Sequence, residues 1–349
     1  MSAMEYSDYI DDAQAGEEVP LLQVIEFDLP LELRGERIDK AIAKVLSNYS
    51  RSRIQQWLEA GLIFENGRQL HPKDHACGQE HIKIEIPPDP QNSAYQAEDI
   101  PLDIIYSDAD IAIIHKPLGM VVHPAAGNWT GTLLNALLHL YPECSAVPRA
   151  GIVHRLDKDT SGLLVIAKNI EAQHDLVKQL SSRSMNRKYL ALAWGKTPLT
   201  KVIHGAIGRD TKDRLKMSIQ VNHGKEAVTH VETLHHVLFE ERPISLIACT
   251  LETGRTHQIR VHLESLGHAL VNDPVYKNKI PYQTALSLKN KLLESNIQFP
   301  GQFLHAGLLG LEHPRTKELL HFQTPPPAVF LETLAFLNIP LTEWQKRVE

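Results

Sequence analysis

Hydrophobic and polar positions in the first part of the chain alternate in a way that predicts a small α+β unit over residues 19–87. Apolar residues recur at helical spacing from Ile38 to Leu46, which indicates one amphipathic helix. A second helix is predicted between Ser50, a suitable N-cap, and Gly61, a suitable terminator. The apolar residues 62–64 then predict a strand, and Asn66-Gly67 is typical of a hairpin turn.

Residues 88–100 lose this periodicity and have the proline-rich, polar composition of a linker. Beyond it, residues 101–335 contain short apolar runs separated by turns, and these runs span residues 103–106, 111–114, 163–167, 189–194 and 246–251. A helix is predicted over residues 130–140 with its leucines facing inward. We expect a mixed, mainly antiparallel sheet flanked by helices, giving an α+β fold overall, followed by a C-terminal extension over residues 336–349.

The formal charge of the 349-residue chain is -6, but its acidic residues are unevenly distributed. Residues 1–18 contain six acidic side chains and no lysine or arginine, so 36 of the 42 acidic residues remain against 36 basic ones. We expect this acidic tail to be disordered. The folded part is therefore neutral in sum and can carry a basic face for a nucleic acid.

The sequence contains no apolar run near the roughly 20 residues that span a bilayer. Its acidic start is also unlike a secretory signal, so we expect a cytoplasmic protein without a membrane partner. Three widely spaced cysteines favour reduced thiols over disulfides. One group resembles a zinc site, namely His71, His75, Cys77 and His81, although the surrounding residues favour a solvated loop.

Arg51 and Arg53 begin the second predicted helix, where the helix dipole disfavours cations. The free N–H groups of that end, together with Arg37, predict a phosphate-binding surface, and the alternative is a solvated charged face. The runs Arg37-Ile38-Asp39, Ser50-Arg51-Ser52-Arg53, Gly61-Leu62-Ile63 and Asn66-Gly67 resemble an S4 RNA-binding domain. The resemblance covers most of the unit and implies that it binds RNA.

The segment from Gly151 to Gly162 reads Gly-Ile-Val-His-Arg-Leu-Asp-Lys-Asp-Thr-Ser-Gly and precedes a buried strand. Charged residues on a loop held by a rigid strand are typical of catalytic sites. An ion-paired turn without catalytic function would give the same pattern. Spacing alone does not choose between Asp157 and Asp159, because both would share one face if the segment were extended.

This segment resembles the active-site motif of the large-subunit branch of the pseudouridine synthases, and the resemblance implies that Asp157 is catalytic. Further motifs follow in the order of that family: Lys116-Pro117, His123-Pro124, Arg187-Lys188-Tyr189, residues 254–262, Leu304-His305-Ala306 and His313-Pro314. One motif departs from the family pattern, because Asn272 and Lys277 replace two glycines. Asparagine is the best substitute at a positive φ angle, and Lys277 can add a phosphate contact.

The resemblance also implies roles for residues around Asp157. Arg260 is expected to be its charge partner, on a helix that Thr256 caps and whose Leu266 faces the core. Arg155 is expected to fill the space of the extruded base, and Tyr189 to stack on the uracil. Further RNA contacts are predicted at Arg187, Lys188 and Arg209. The implied substrate is a uridine in a stem-loop of large-subunit (23S) ribosomal RNA, bound by a monomer without a cofactor.

Three alternatives remain open on the sequence. The first is a non-catalytic S4-type RNA-binding protein, such as a ribosome assembly factor, which would not need the motifs around Asp157 and Arg260. The second is a synthase that acts on another RNA, such as tRNA. The third is a glycosidase that uses Asp157 and Asp159 as its two carboxylates.

Overall fold

The computed structural model describes residues 23–47, 49–86, 94–125, 127–213, 216–277 and 280–348. The chain divides into two units between Ala94 and Tyr95. The acidic tail at residues 1–18 and most of the first half of the proposed linker lie outside the described residues. No helix in the described ranges is both long and apolar enough to cross a membrane.

The N-terminal unit packs two helices on a small antiparallel sheet with the strand order β1-β4-β2-β3. Its elements are β1 (Gln23–Asp28), α1 (Ile38–Val45), α2 (Arg51–Glu59), β2 (Ile63–Glu65), β3 (Arg68–Gln69) and β4 (His81–Ile86). The Ser50 hydroxyl accepts the N–H of Arg53 at 3.2 Å, which confirms Ser50 as the N-cap of α2. The predicted turn at Asn66-Gly67 joins β2 to β3, with both residues at positive φ.

The two arginines at the start of α1 and α2 are compensated by one carboxylate. Asp39 is fully buried and accepts hydrogen bonds from Arg51 at 2.9 and 3.1 Å, from Arg37 at 3.2 and 3.3 Å, and from Gln55 at 2.5 Å. Burial alone would raise the pKa of Asp39, but these hydrogen bonds, that of Arg51 foremost, lower it. The carboxylate therefore offsets the unfavourable helix-dipole position of Arg51 while both guanidinium groups stay about half exposed.

The C-terminal unit is built on one nine-stranded sheet. Its strands are β5 (Asp103–Ser107), β6 (Ile111–Lys116), β7 (Ser161–Ala167), β8 (Asn186–Trp194), β9 (Thr200–His204), β12 (Val228–Phe239), β13 (Arg242–Leu251), β14 (Leu304–Glu312) and β15 (Leu319–Gln323), and β10 (Ile207–Arg209) and β11 (Met217–Ile219) form a separate hairpin. The helices are α3 (Leu133–Leu140), α4 (Ile170–Ser181), α5 (Gln258–Ser265), α6 (Tyr282–Glu294), α7 (Ala328–Phe336) and α8 (Thr342–Val348).

The sheet has the order β5-β6-β7-β14-β8-β13-β12-β9, with β15 paired to β14. Among its described pairs only β7 and β14 run parallel. The predicted α+β class with a mixed, mainly antiparallel sheet is therefore confirmed. The single parallel pair matters for the site, because it brings the start of β7, which follows the charged segment, beside the start of β14.

Hydrophobic cores cover both faces of the sheet, as the alternation along β8 shows. Tyr189, Ala191 and Ala193 face the core that contains α3 and α5, whereas Leu190, Leu192 and Trp194 face the core that contains α6 and α7. Burial on both faces explains why these strands read as continuous apolar runs instead of alternating ones. The C-terminal residues 336–349 contribute to the second core through Trp344, which is 2% exposed.

Two helix boundaries differ from their predictions. Helix α3 begins at Leu133, not near residue 130, because Thr132 and Asn135 form a capping box there. Thr256 does not cap α5, since the N-cap position is occupied by His257 in the left-handed conformation. Leu266 is 38% exposed and does not face the core, because it already belongs to the C-terminal turn that Gly267 ends.

Candidate active site

A cleft in the C-terminal unit brings together the charged segment before β7, the strand β8 and the N-terminal end of α5. Its lining includes Arg155, Asp157, Tyr189, His257 and Arg260. The segment from residue 153 to residue 160 is a loop, and it places Asp157 shortly before the first residue of β7. The structure therefore brings together four residues that the sequence predicts to act jointly.

Asp157 occupies the first position of a turn, in which the N–H of Thr160 donates to the Asp157 carbonyl at 3.1 Å. Its carboxylate is 16% exposed, and Oδ2 accepts a hydrogen bond from Arg260 Nη1 at 2.8 Å. Because the segment forms a turn and is not extended, Asp157 and Asp159 do not share one face of a strand. Asp159 lies farther along the turn, against Gly301.

Arg260 is held from its other edge by a second carboxylate. Its Nε and Nη2 donate to the two oxygens of Asp273 at 2.7 and 2.9 Å, and its guanidinium carbon lies 5.0 Å from the ring centroid of Tyr276. Burial disfavours the cation, but the hydrogen bond with Asp273 and the charge of Asp157 outweigh that effect and raise the pKa of Arg260. The guanidinium is therefore a fixed positive charge that points at one oxygen of Asp157.

Asp273 is itself oriented by the backbone. Its Oδ1 accepts the N–H groups of Val275 and Tyr276 at 2.8 and 2.9 Å. No role for Asp273 was predicted from the sequence, in which this segment stands out only for its departures from the family pattern. The available signal was the expected pairing of Arg260 with Asp157, since a guanidinium has five N–H groups and one carboxylate cannot satisfy them all.

The substitution of glycine by Asn272 is explained by the backbone. Asn272 adopts φ 59°, the left-handed region that asparagine tolerates. Its side-chain amide donates to the carbonyls of Phe299 and Gly301, both at 2.8 Å. Asparagine therefore keeps the turn that glycine would allow and also fastens it to the segment before β14. Lys277 is exposed.

Tyr189 and Arg155 both line the cleft but differ in their exposure to solvent. Tyr189 lies on β8, is 6% exposed, and has its pKa raised by burial, so its hydroxyl stays protonated. Arg155 is exposed. A buried aromatic ring and an exposed cation thus line the same cleft as the Asp157 carboxylate.

Two further basic side chains, Lys116 and His154, support the loop, and neither role was predicted from the sequence. Lys116 is fully buried, and its Nζ donates to the carbonyls of Pro117, Met120 and Lys158 at 2.8 to 3.1 Å. Burial lowers the pKa of Lys116 to about 7. Burial also lowers the pKa of His154 to about 3, so this histidine is neutral, and its Nε2 accepts the N–H of Val165 at 3.2 Å.

Close backbone packing fixes where β7 begins. Gly162 has φ 117°, and a Cβ atom there would lie 2.2 Å from the carbonyl oxygen of Ala306. Only glycine fits at this contact between β7 and β14. Next to it, the Ser161 hydroxyl lies 2.9 Å from Nδ1 of His305, whose Nε2 lies 3.0 Å from the carbonyl oxygen of Thr324. The loop before β7 is therefore anchored at a single defined position.

The predicted RNA-contacting residues fall into different environments. Arg187 is 5% exposed and donates to the carbonyl of Glu252 at 3.1 Å, so it belongs to the cleft wall and is not the surface contact that we expected. Lys188 is half-buried and Arg209 is exposed. In the N-terminal unit, Arg53 lies over the Trp57 ring, with its Cζ 5.7 Å from the centroid.

The predicted zinc ligands do not converge. In the described ranges, only Asp108, Asp110 and His313 form a group of three or more such residues whose potential ligand atoms lie within 4.8 Å of one another. That group is an internal network, because Asp108 bonds to Tyr106 and His313, and Asp110 bonds to Arg315 and Asn169. The zinc hypothesis for His71, His75, Cys77 and His81 is therefore not supported.

Comparisons with known proteins agree with the motif analysis. The pattern of the RNA pseudouridylate synthase family matches residues 110–265. Ribosomal large subunit pseudouridine synthase D of Neisseria meningitidis serogroup B is 45% identical over 334 residues, which cover 95% of this chain and 87% of that protein. The protein of the same name from Escherichia coli K12 is 40% identical over 316 residues, covering 90% and 94%.

A solved structure shares the fold. Human RNA pseudouridylate synthase domain containing 4 superimposes with a TM-score of 0.52 at 23% identity, over 68% of this chain and 93% of that one. The runs Gly224-Lys225 and Ala227-Val228-Thr229-His230 resemble synthase D in particular, and the identities to the two bacterial proteins confirm that likeness. This chain belongs to the RNA pseudouridylate synthase family.

Proposed function

We propose that this protein isomerises specific uridines of large-subunit (23S) ribosomal RNA, with Asp157 as the catalytic carboxylate. The bacterial relatives that are 40–45% identical are named as ribosomal large subunit synthases, and each alignment spans most of both chains. The observation that carries the catalytic assignment is the 2.8 Å contact between Arg260 Nη1 and Asp157 Oδ2 in the cleft. A carboxylate that only stabilised a turn would not need a hydrogen bond from a buried cation.

The reaction breaks the bond between C1′ of ribose and N1 of uracil and forms a bond between C1′ and C5. The proton on C5 is lost and N1 gains one, so the product is an isomer. Asp157 either attacks C1′ as a nucleophile or removes the proton from C2′ as a base. Both routes require an ionised carboxylate beside the sugar.

Arg260 places a buried positive charge at hydrogen-bonding distance from the Asp157 carboxylate. An opposite charge at that distance stabilises the negative charge that either route requires. Asp273 holds Arg260 bidentately, so the guanidinium presents a single N–H to Asp157. The other oxygen, Oδ1, is left to face the substrate.

Arg155 and Tyr189 are proposed to stabilise the RNA once the target base has left its stack. Extruding a stacked base costs a few kcal/mol, and an exposed arginine at the cleft can occupy the vacated space. That role fits Arg155. Stacking on an aromatic ring contributes about 1 to 3 kcal/mol per base, which fits the rigid Tyr189 ring. Its hydroxyl can relay the C5 proton, because the oxygen accepts that proton while the proton it already carries passes to solvent.

RNA affinity is proposed to come largely from the N-terminal unit, read as an S4 domain. Its half-exposed Arg37 and Arg51, fixed by Asp39, present two guanidinium edges next to the N-terminus of α2. Arg53 adds a third cation, and Lys188 and Arg209 add contacts from the C-terminal unit. We propose that the protein acts as a monomer.

Pseudouridine mapping tests the proposal. Ribosomal and transfer RNA from cells with and without the gene would be compared, and the gene lacking the Asp157 carboxylate (Asp157→Asn) would be returned to the deleted strain. We expect pseudouridines in large-subunit RNA to disappear on deletion and to return only with the wild-type gene. Loss of pseudouridines only from tRNA would show that the substrate is tRNA. No loss of pseudouridines from any RNA would favour a non-catalytic RNA-binding protein.

A further inference from the structure

His257 lies at the junction of the cleft and α5 with an unusual backbone. It precedes α5 in the left-handed conformation, at φ 55° and ψ 22°, which few residues other than glycine and asparagine adopt. Its side chain is 20% exposed in the cleft. Strained backbone of this kind persists only where the surroundings enforce it, and it is concentrated at functional sites.

The hydrogen bonds of Tyr276 determine which ring nitrogen of His257 carries the proton. The Tyr276 hydroxyl accepts the backbone N–H of Met217 at 3.0 Å and lies 2.9 Å from His257 Nδ1. Burial raises the pKa of Tyr276 to about 12, so the hydroxyl keeps its proton. The oxygen accepts the N–H of Met217 and its proton can point at Nδ1, so we assign Nδ1 as the acceptor of the hydroxyl.

This arrangement leaves the proton of neutral His257 on Nε2. Burial lowers the pKa of His257, which favours the neutral ring. Nε2 lies 3.9 Å from Asp157 Oδ1, beyond hydrogen-bonding distance. The N–H is therefore not used by the carboxylate, although His257 and Asp157 line the same cleft.

We propose that His257 Nε2–H donates a hydrogen bond to the 2′-hydroxyl oxygen of the target uridine, and so selects a ribonucleotide at the reacting position. The inference rests on the proposed function. In either route Asp157 Oδ1 acts at C1′ or at the adjacent C2′, at a reacting distance of about 3 to 3.5 Å. The oxygen on C2′ then lies beside Oδ1, within reach of a donor 3.9 Å away.

His257 is thus a specificity-determining residue whose tautomer Tyr276 sets. The 2′-hydroxyl is the group by which a protein distinguishes RNA from DNA at a given nucleotide. A donor fixed in the cleft stabilises the ribose in the orientation that Asp157 requires. A 2′-deoxyuridine at the same position offers no acceptor to that donor.

The test combines a change in the protein with a change in the RNA. His257→Asn keeps a residue that tolerates the left-handed backbone but shortens the side chain below the reach of Nε2. His257→Gln returns an N–H near that position. Each full-length variant is assayed on a ribosomal stem-loop with uridine or with 2′-deoxyuridine at the target, and His174→Asn on the exposed face of α4 is the control. The deoxy RNA is measured as a substrate if it is isomerised and as a competitive inhibitor if it is not.

We expect His257→Asn to lower kcat/KM on the uridine RNA about 10-fold. For the deoxy RNA, kcat/KM or the inhibition constant should change less than about 2-fold. His257→Gln should keep more of the preference for ribose. Equal losses on both RNAs, or no loss on either, with melting curves like those of wild type, would overturn the inference. If the wild-type protein releases no C5 tritium from any ribosomal RNA, the proposed function itself fails.

Discussion

Arg260 donates to Asp157 at 2.8 Å while Asp273 holds the opposite edge of the same guanidinium at 2.7 and 2.9 Å. The cation is therefore shared unequally, with two hydrogen bonds to a fully buried carboxylate and one to a carboxylate in the cleft. This geometry fixes the direction of the proposed catalytic charge pair. It also makes the placement of Asp157 depend on residues more than one hundred positions away in the sequence.

Replacement of Arg260 by methionine should impair chemistry far more than RNA binding. The change leaves Asp157 and Asp273 facing each other without their common partner, and we expect the single-turnover rate to fall at least about 100-fold. Affinity for RNA, measured by filter binding, should stay within a few fold. Arg315→Met removes an arginine paired with Asp110 outside the cleft and serves as the control. Normal turnover of Arg260→Met would contradict the proposed role.

Removal of the N-terminal unit should weaken RNA binding and flatten its salt dependence. A protein that begins at residue 95 retains the cores on both faces of the large sheet. It loses the arginines clustered on Asp39, and each lost phosphate contact reduces the slope of log K against log salt by about 1. Titration of RNA at several salt concentrations measures both quantities. Unchanged affinity and slope would refute an RNA-binding role for this unit.

Asn272→Gly should lower stability although glycine is the usual residue at this turn. Glycine keeps the positive φ but loses the amide bonds to Phe299 and Gly301, at a cost of about 1 to 2 kcal/mol. Urea unfolding measures the change. Asn338→Gly is the matched control, since that asparagine has φ 55° and is exposed. Equal effects of the two substitutions would show that the amide bonds contribute nothing.

Asp108 should contribute to stability in a defined pH range. Burial would raise its pKa, but hydrogen bonds from the Tyr106 hydroxyl and from backbone N–H groups, including that of Ile111, lower the pKa from 3.8 to about 2. A carboxyl group whose pKa is lower in the folded state stabilises the fold above its unfolded pKa. That contribution, about 2 kcal/mol, is lost as the pH falls from about 4 to about 2.

Asp108→Asn should therefore be less stable than wild type at pH 7, and the difference should shrink below pH 4. Unfolding free energies measured by denaturant titration between pH 7 and pH 2.5 give the comparison. Asp99→Asn, at a position 87% exposed, should show no such difference. A difference for Asp108→Asn that persists unchanged at pH 2.5 would contradict the assigned pKa.

Sequence periodicity and motif order were sufficient for the architecture and for the residues that meet at Asp157. The α2 boundaries follow from Ser50 and Gly61, whose effects are local. The pairing of Arg260 with Asp157 could be predicted because the family resemblance covers both residues. The N-cap of α5 was predicted wrongly, since the left-handed backbone of His257 is imposed by tertiary contacts and not by a local capping preference.

Other parts of the site depend on distant contacts that no local pattern encodes. Asp273 was not assigned as the anchor of Arg260, and Tyr276 was not recognised as the partner of His257. Arg187 was predicted as an RNA contact, but it is 5% exposed and donates to the Glu252 carbonyl, which gives the buried guanidinium an acceptor. Burial of a charged group depends on its partners, and those partners lie on other elements.

The most direct test of the central claim compares Asp157→Asn with Asp159→Asn in tritium release from C5-labelled uridine in ribosomal RNA. Asparagine keeps the shape of Asp157 but can neither attack C1′ nor accept a proton from C2′. We expect Asp157→Asn to bind RNA with little change and to release tritium only at background, whereas Asp159→Asn keeps measurable activity. Full activity of Asp157→Asn, or the reverse pattern between the two variants, would contradict the account.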